Sequence, residues 1–538
     1  MLMMLRLLVT LLMLCLSSAS LAAEIETGDA TLDGAFEQLL DRDFEVKAQG
    51  ITALAASDNP KTDALLRGIL EGGLRYLTDN KRLVWVQTHA DGDHAIDALS
   101  GEDYGVYTSR KFKKFALNNA MRGQIRTLLA AEELSNPDPS VRLNAVKSML
   151  DTVQLSDAEQ FSKLLEKETD PAVRKAFGSA IALAQLNTED PKQRHTAIAA
   201  LSGQLEPTVR NALNRLAQSD PDEGVRVDAA TALAEIEEKV HFYGYIETLF
   251  FGLSAGSVLV LAAIGLAITF GVMGVINMAH GELIMLGAYT TYLMQQLMPE
   301  MAGLSILLSI PTAFIVSGLV GIAIERGIIH FLYGRPLETL LATFGVSLIL
   351  QQLVRTVISP QNVPVSNPDF MSGLWQINPV LSLTYNRLYI FAFCLLVFAG
   401  LFFVLKFTRL GLQVRAVSQN RAMARAMGVR SARVDALTFG LGAGIAGIAG
   451  VALSQLTNVG PNLGQAYIVD SFMVVVFGGV GNLWGTLIGG LGLGIANKLM
   501  EPWTGAVLAK ILVLVFIILF IQKRPRGLFP QKGRAAEG

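Results

Sequence analysis

Residues 257–297 read SVLVLAAIGLAITFGVMGVINMAHGELIMLGAYTTYLMQQL, and this stretch decides the kind of molecule to expect. An apolar run reaches Phe270, glycines follow at Gly271, Gly274 and Gly281, and Asn277, His280 and Glu282 stand among them before apolar residues resume. A helix that crosses a bilayer needs roughly 20 apolar residues, fewer where it is broken. Polar and ionisable groups at that depth are costly and mark function by default. Glycines at a break free backbone groups, which are tolerated only where they line a protein-enclosed cavity. Two readings of the polar trio stand side by side. In one, Asn277, His280 and Glu282 line a solute pathway. In the other, His280 and Glu282 hydrogen-bond to adjacent helices and never meet solute. A second glycine-broken segment, Gly478, Gly479 and Gly481 followed by Asn482, is placed to face the first, and Asp470, Gln351 and Gln352 are further pathway candidates.

Outward from this stretch the C-terminal half keeps the same character. Apolar segments fall near 247–270, 280–297, 303–325, 338–358, 387–406, 436–457, 467–482, 485–499 and 506–521, which gives eight to ten spans and is compatible with an inverted repeat. Composition agrees: of 538 residues, 51% are hydrophobic and 17% charged, with 50 glycines and 17 methionines, too apolar for one or two soluble domains. A net charge of −2 with no basic stripe excludes nucleic acid as a partner, because phosphate binding needs clustered cations. Arg326, Arg335, the six arginines between Lys406 and Arg433, and Lys523-Arg524-Pro525-Arg526 fall in short loops or the tail, which the positive-inside rule places in the cytoplasm. Ser359 to Asn386 carries only Asp369 and belongs outside. Small-residue stripes at Gly440, Gly444, Gly447, Gly450 and at Gly485, Gly489, Gly490, Gly494 serve packing within one subunit for the most part, with a dimer seam as the alternative for a minority.

The N-terminal part is of a different kind. Residues 1–23 form an apolar run with one early cation, Arg6, ending in small residues at Ser20 and Ala22, the pattern of a secretory signal peptide cleaved after Ala22 or Ala23. Cleavage removes Cys15 and leaves Cys394, so the exported segment has no disulfide to form. Residues 24–240 read as soluble and helical. Asn136-Pro-Asp-Pro-Ser-Val-Arg142, Asp170-Pro-Ala-Val-Arg174, Glu206-Pro-Thr-Val-Arg210 and Asp220-Pro-Asp-Glu-Gly-Val-Arg226 each open an Ala/Leu-rich helix, with a weaker version at Asp190-Pro-Lys-Gln-Arg194. An acidic cap, a first-turn proline and apolar residues facing a neighbour resemble stacked HEAT-like helical repeats. Arg82 to Gln87 and Tyr104 to Tyr107 alternate like strands and suggest a small hairpin insertion. His89, Asp91, Asp93 and His94 sit in a Gly/Asp-rich turn, where a solvated loop is expected ahead of a metal site.

Gly271-Val-Met-Gly-Val-Ile-Asn277-Met-Ala-His280-Gly281-Glu282 with Gly287-Ala-Tyr289 resembles the signature of branched-chain amino acid ABC permeases of the LivH type. The resemblance continues through Gly411-Leu-Gln-Val-Arg-Ala416, Met427-Gly428-Val, Phe477-Gly-Gly-Val-Gly481 and Arg524-Pro-Arg-Gly-Leu528, across essentially all of 247–530. The long N-terminal extension is similar to that of the urea-transporting branch of this family. The resemblance implies a non-catalytic permease subunit of an inner-membrane importer, urea being the preferred cargo and branched-chain or other amino acids the alternative. The fold class expected is then all-α: a polytopic permease domain over 247–522, preceded by an exported helical-repeat domain over 24–240 and ended by a cytoplasmic tail over 523–538. Implied partners are a second permease subunit, two ATPase subunits, an exported solute-binding protein and membrane lipid. Residues 407–435 contain the family's coupling loop, in which Arg415, Ala416, Arg421, Ala424, Ala426, Met427 and Gly428 are the candidate contacts. Small residues would enter a groove of the ATPase, and arginines such as Arg421 would meet its acidic rim. The chain has no Gly-x-x-x-x-Gly-Lys-Ser/Thr run, so it binds no cofactor of its own, and ATP and Mg are used by the partner subunits. No Ser/His/Asp or Cys/His arrangement supports an enzyme. A membrane-anchored sensor or scaffold is the reading from a different class, but an anchor needs only one span.

Overall fold

The computed structural model describes residues 30–529, except 58, 80, 90, 91 and 108–110. The expected signal peptide and the last residues of the tail lie outside the described residues. The chain divides into two compact units, Met1–Glu237 and Glu238–Gly538.

The first unit corrects the all-α expectation. Three helices, α1 (Ala30–Leu40), α2 (Phe44–Ala55) and α3 (Thr62–Glu71), lead into five antiparallel strands, β1 (Leu74–Leu77), β2 (Leu83–His89), β3 (Gly92–Asp97), β4 (Asp103–Tyr107) and β5 (Phe112–Lys114), in the order β4-β3-β2-β1-β5. Helix α4 (Asn119–Glu133) follows, and Phe36, Ile51, Leu65, Leu74 and Ile125 share one core. The two stretches that alternate like strands are β2 and β4, but they do not pair with each other. β3 lies between them, with Trp85 opposite Ile96 and His94 opposite Val106. β3 reads as a polar turn because, from Asp93 to Asp97, only Ala95 is buried.

The repeats come next as α5 (Pro139–Met149), α6 (Ala158–Lys167), α7 (Pro171–Gln185), α8 (Pro191–Leu201), α9 (Pro207–Ser219) and α10 (Glu223–Met273). The caps form as side chain to backbone bonds: Asp138 accepts from Ser140 N, Asp170 from Ala172 and Val173 N, Asp190 from Lys192 N. Each such cap stabilises its helix by about 1 kcal/mol. Glu206 makes no such bond, and α10 is capped by Asp222, which accepts from Val225 N, in place of Asp220. Val173, Val209 and Val225 are fully buried. The repeated arginine has a second task. Arg142, Arg174, Arg194 and Arg226 each donate to the carbonyl six residues back, at Asn136, Glu168, Thr188 and Asp220. Two of them also reach the next repeat: Arg142 grips Glu168 at 2.8 Å and Arg194 grips Asp220 at 3.0 Å.

The second unit contains the rest of α10, then α11 (His280–Leu297), α12 (Ala302–Gly327) and α13 (Pro336–Val357), a β6 (Leu374–Gln376) to β7 (Ser382–Thr384) hairpin, and α14 (Tyr385–Phe407). Short helices α15 (Arg409–Gln419) and α16 (Arg421–Ala426) lead to α17 (Ser431–Ser454), α18 (Leu463–Gly478) and α19 (Leu483–Lys523). Among the described residues six helices, α10, α12, α13, α14, α17 and α19, are long and apolar enough to cross a membrane. Each of the nine expected apolar segments falls on helix, yet three are not spans by that measure. His280, Glu282, Gln295 and Gln296 make α11 too polar, α18 has 16 residues, and the last two segments form one 41-residue run kinked at Gly505, φ 78°.

α11 and α17 are mostly buried, and close backbone approach explains why. A Cβ on Gly287 would collide with the Gly447 carbonyl, one on Gly450 with the Ile284 carbonyl, and one on Gly444 with Phe314. Gly440 lies against Ile322 and Gly318, while Gly485 meets Gly478, Gly490 meets Val260 and Gly494 meets Gly256. Both stripes are therefore used inside this chain, where small residues let van der Waals contact hold helices together.

Candidate functional site

The break between α10 and α11 is built from the residues that marked it in sequence. Gly274 takes φ 68°, a left-handed conformation that ends α10 with its N–H on the Phe270 carbonyl. Residues 275–277 leave the helix. The freed backbone groups find side chains: Tyr333 O–H donates to the Met273 carbonyl at 3.2 Å, and Met278 N–H donates to Thr343 Oγ1 at 3.1 Å. Asn277 Oδ1 accepts from Ala279 N at 3.0 Å and turns the chain into α11.

Asn277, His280 and Glu282 are buried, each no more than 1% exposed. Glu282 Oε1 accepts from Ser347 Oγ at 3.0 Å and from Gln351 Nε2 at 2.7 Å, and His280 Nε2 bonds to the Ala262 carbonyl at 2.8 Å. Each of the three nevertheless keeps one buried atom with no hydrogen bond among the described residues: Asn277 Nδ2, His280 Nδ1 and Glu282 Oε2. Buried polar atoms are nearly always paired in folded proteins, so three orphans within six residues set this place apart. The trio thus bonds neighbouring backbone and helices and at the same time retains unused donors and acceptors.

Helix α13 supplies the facing wall. Thr339, Thr343, Ser347 and Gln351 are all buried, spaced four residues apart on one face. Thr343 and Ser347 were not among the sequence candidates, and the four-residue polar repeat through Gln351 is the signal that reveals them. Gln352 is not part of the cluster; it is exposed and bonds to Thr356.

The second glycine-broken segment does meet the first, through Gly271 against Gly481, and Gly281 packs against Gly464. Its polar residue has another role. Asn482 Oδ1 caps α19 at Gly485 N, 3.2 Å, and its Nδ2 donates to the Phe529 carbonyl at 3.2 Å. Leu528 and Phe529 N–H groups in turn bond to the Phe477 and Gly478 carbonyls, so the tail is tied onto this break. Asp470 pairs with Lys510 at 3.2 Å, a separate location taken up below.

The loop of the expected coupling contacts is two short helices with a break at Asn420, whose side chain caps α16 at Met423 N. Arg421 is no rim charge. Its guanidinium makes a two-pronged pair with the nearly buried Asp435, at 2.7 and 2.9 Å, donates to Tyr333 O–H and lies over the Tyr333 ring. Ala424 is buried with Val414, Val417 and Val434, and Ala416 packs against the same cluster. Only Ala422, Met423, Ala426 and Met427 of this helical turn present apolar atoms outward, and the two methionines are 60% and 78% exposed. Gly428 ends the turn at φ 86°, and Arg415 donates to the Leu405 carbonyl, where Gly411 allows the close approach. Among the described residues no group of three His, Cys, Asp or Glu side chains is placed to hold a metal.

A family model described as branched-chain amino acid transport system / permease component matches residues 248–521. The high-affinity branched-chain amino acid transport system permease protein BraD of Pseudomonas aeruginosa is 32% identical over 295 residues, 53% of this chain and 96% of its own length. The LivH permease protein of the same kind of system in Escherichia coli is 29% identical over 297 residues, 53% of this chain and 96% of its own. The ribose import permease protein RbsC of Escherichia coli is 26% identical over 263 residues, 47% of this chain and 77% of its own. No solved structure matches. With a family model covering half of the sequence and a relative matched along nearly its whole length, this chain belongs to the branched-chain amino acid transport system permease component family.

Proposed function

We propose that this chain is the permease subunit through which an ABC importer passes branched-chain amino acids. The family assignment makes it a multi-pass inner-membrane transport component and not itself an enzyme, in place of a sensor or scaffold. The relatives matched along 96% of their length are named for branched-chain amino acid transport, and that observation carries the substrate class. It favours the amino acid alternative over the urea cargo suggested by the extension. In this reading the orphaned Asn277 Nδ2, His280 Nδ1 and Glu282 Oε2 line the solute path, and Ser347 and Gln351 position the Glu282 carboxylate.

An importer of this family works with ATPase subunits and a binding protein. The composition we infer is a second permease subunit, two ATPase subunits that use ATP and Mg, and an exported solute-binding protein. Residues 24–240 lie on the exported side in this arrangement, and the 409–430 loop meets the ATPase.

Uptake of labelled leucine and labelled urea by the complete importer in proteoliposomes tests the substrate. Leucine uptake that falls at least tenfold in Glu282→Gln supports the reading. Urea keeps a place as the second reading because the family match leaves everything before residue 248 uncovered, and that extension is what suggested it. Urea carried and leucine ignored would overturn the amino acid reading.

A further inference from the structure

A cavity of about 280 Å³ lies between α10, α14, α18 and both arms of α19, well away from the Glu282 cluster in sequence. That volume is at the small end for sites that enclose small molecules, roughly 300–1,000 Å³. Its wall carries three cations, Arg387, Lys498 and Lys510, and two carboxylates, Asp470 and Glu501, together with Asn497. Two ion pairs account for four of the charges: Lys510 with Asp470 at 3.2 Å and Lys498 with Glu501 at 2.5 Å. Arg387 is left over. Its guanidinium stacks over the Phe251 ring, 4.9 Å from the centroid, and has no carboxylate partner among the described residues. Asn497 Oδ1 is buried at the same cavity with no hydrogen bond among the described residues.

We propose that this cavity is a binding site for the zwitterionic head of an α-amino acid, a station distinct from the Glu282 cluster; the proposal rests on the amino acid reading above. A planar guanidinium with free donors takes a carboxylate in two-pronged fashion. Asn497 Oδ1 accepts from the ammonium, and Asp470 and Glu501 supply the neighbouring negative charge. Val258, Val474 and Leu493 give the apolar wall that a branched side chain needs. Urea offers Arg387 only a neutral carbonyl oxygen, whereas a zwitterion brings a full carboxylate to the guanidinium and an ammonium to Asn497 Oδ1.

The test measures binding of labelled leucine to the purified permease and ATPase complex in detergent, with the soluble binding protein left out, alongside uptake by the complete importer. In the wild type, leucine should bind and leucinamide, which lacks the carboxylate, should compete at least tenfold less well. Arg387→Gln should weaken leucine binding at least tenfold and abolish the discrimination against leucinamide, while Arg387→Lys keeps part of both. The leucinamide comparison in wild type is free of any folding effect of a substitution. Leucine uptake with unchanged binding and discrimination in Arg387→Gln overturns the site and leaves the amino acid reading standing. Leucine bound with this discrimination but not transported supports the site and overturns the reading. A wild type that neither binds nor carries leucine overturns both.

Discussion

Arg421 shows how much a single partner changes the meaning of a charge. An exposed pair is worth roughly 0–1 kcal/mol, but the carboxylate it meets, Asp435, is only 4% exposed, and removing the arginine strands that charge. A fully buried pair loses about 3–5 kcal/mol on such a deletion; with Arg421 itself 22% exposed, Arg421→Gln should lose about 2–3 kcal/mol. Adding Asp435→Asn should restore at least half of the melting temperature lost in detergent, and a double variant no better than the single one would show that the pair does not hold the loop. Glu168 is the corresponding residue of the first unit. The Arg142 hydrogen bond, helped by the Thr169 and Asp170 N–H groups, lowers its carboxyl from 4.5 to about 2. A lowered carboxyl contributes stability above its unfolded value and loses it as pH falls toward the folded one. Hydrogen exchange across α5 to α7 should therefore show wild type better protected than Glu168→Gln above about pH 4.5, with the gap closing toward pH 2. A gap independent of pH would contradict this. The sequence shows Asn277, His280 and Glu282 at once, because polar groups in an apolar run stand out. It does not show Arg421 and Asp435 as a pair: fourteen residues and a helix break separate them, and either charge alone looks like ordinary loop solubility.

At the scale of elements, periodicity was readable where a helix is long and its partner lies in the same repeat. The Asp-Pro caps of α5, α7 and α8, and the buried Val146 of α5 and Val173 of α7, follow from local chemistry that needs no tertiary knowledge. β3 and β5 escaped because six and three residues, with polar side chains outward, carry too little alternation to be told from turns. The polar face of α13 escaped for another reason. Serine and threonine are ordinary in membrane helices, and only the opposing Glu282 turns Thr343 and Ser347 into part of a site. The loop helix α16 reverses the expectation for Ala424, while Ala426 remains outward. Ala424 fills a core with Val414 and Val434, so Ala424→Glu should disrupt the loop itself and lower the yield of folded protein. Met423 and Met427 are outside, so Met423→Glu with Met427→Glu should leave insertion and melting unchanged and weaken ATPase capture in a detergent pull-down at least tenfold. Unchanged capture in that variant would move the docking role to another loop, with the segment from Arg326 to Arg335 next to be tried.

For the whole molecule, the decisive question is which side each unit faces, and two kinds of charge pattern bear on it independently. The N-terminal 23 residues carry an export pattern, and the arginines of the 409–433 loop together with Lys523, Arg524 and Arg526 carry the retention pattern of cytoplasmic loops. The fold adds a physical link between the last two. The tail is bound to the glycine break through Asn482 and the Phe477 and Gly478 carbonyls, and Gly481 lines one cavity together with Arg415 and Gly411. Tail and loop must therefore lie on the same side of the membrane, whichever side that is. Arg387, at the opposite end of α14 from Lys406, is separated from it by 19 residues of helix, about 28 Å, close to the ~30 Å thickness of a hydrocarbon core. The amino acid station and the loop then open toward opposite faces. Protease added to spheroplasts should remove residues 24–240 while leaving a fragment that retains the 409–433 loop and the tail. Inside-out vesicles should give the reverse, with the loop cut and the first unit protected. A loop cleaved in intact spheroplasts would reject this topology and place the ATPase contact on the wrong side of the membrane. Cysteine labelling at Trp375→Cys in the β6–β7 hairpin, an exposed position, gives the independent check, since an impermeant maleimide should reach it from outside.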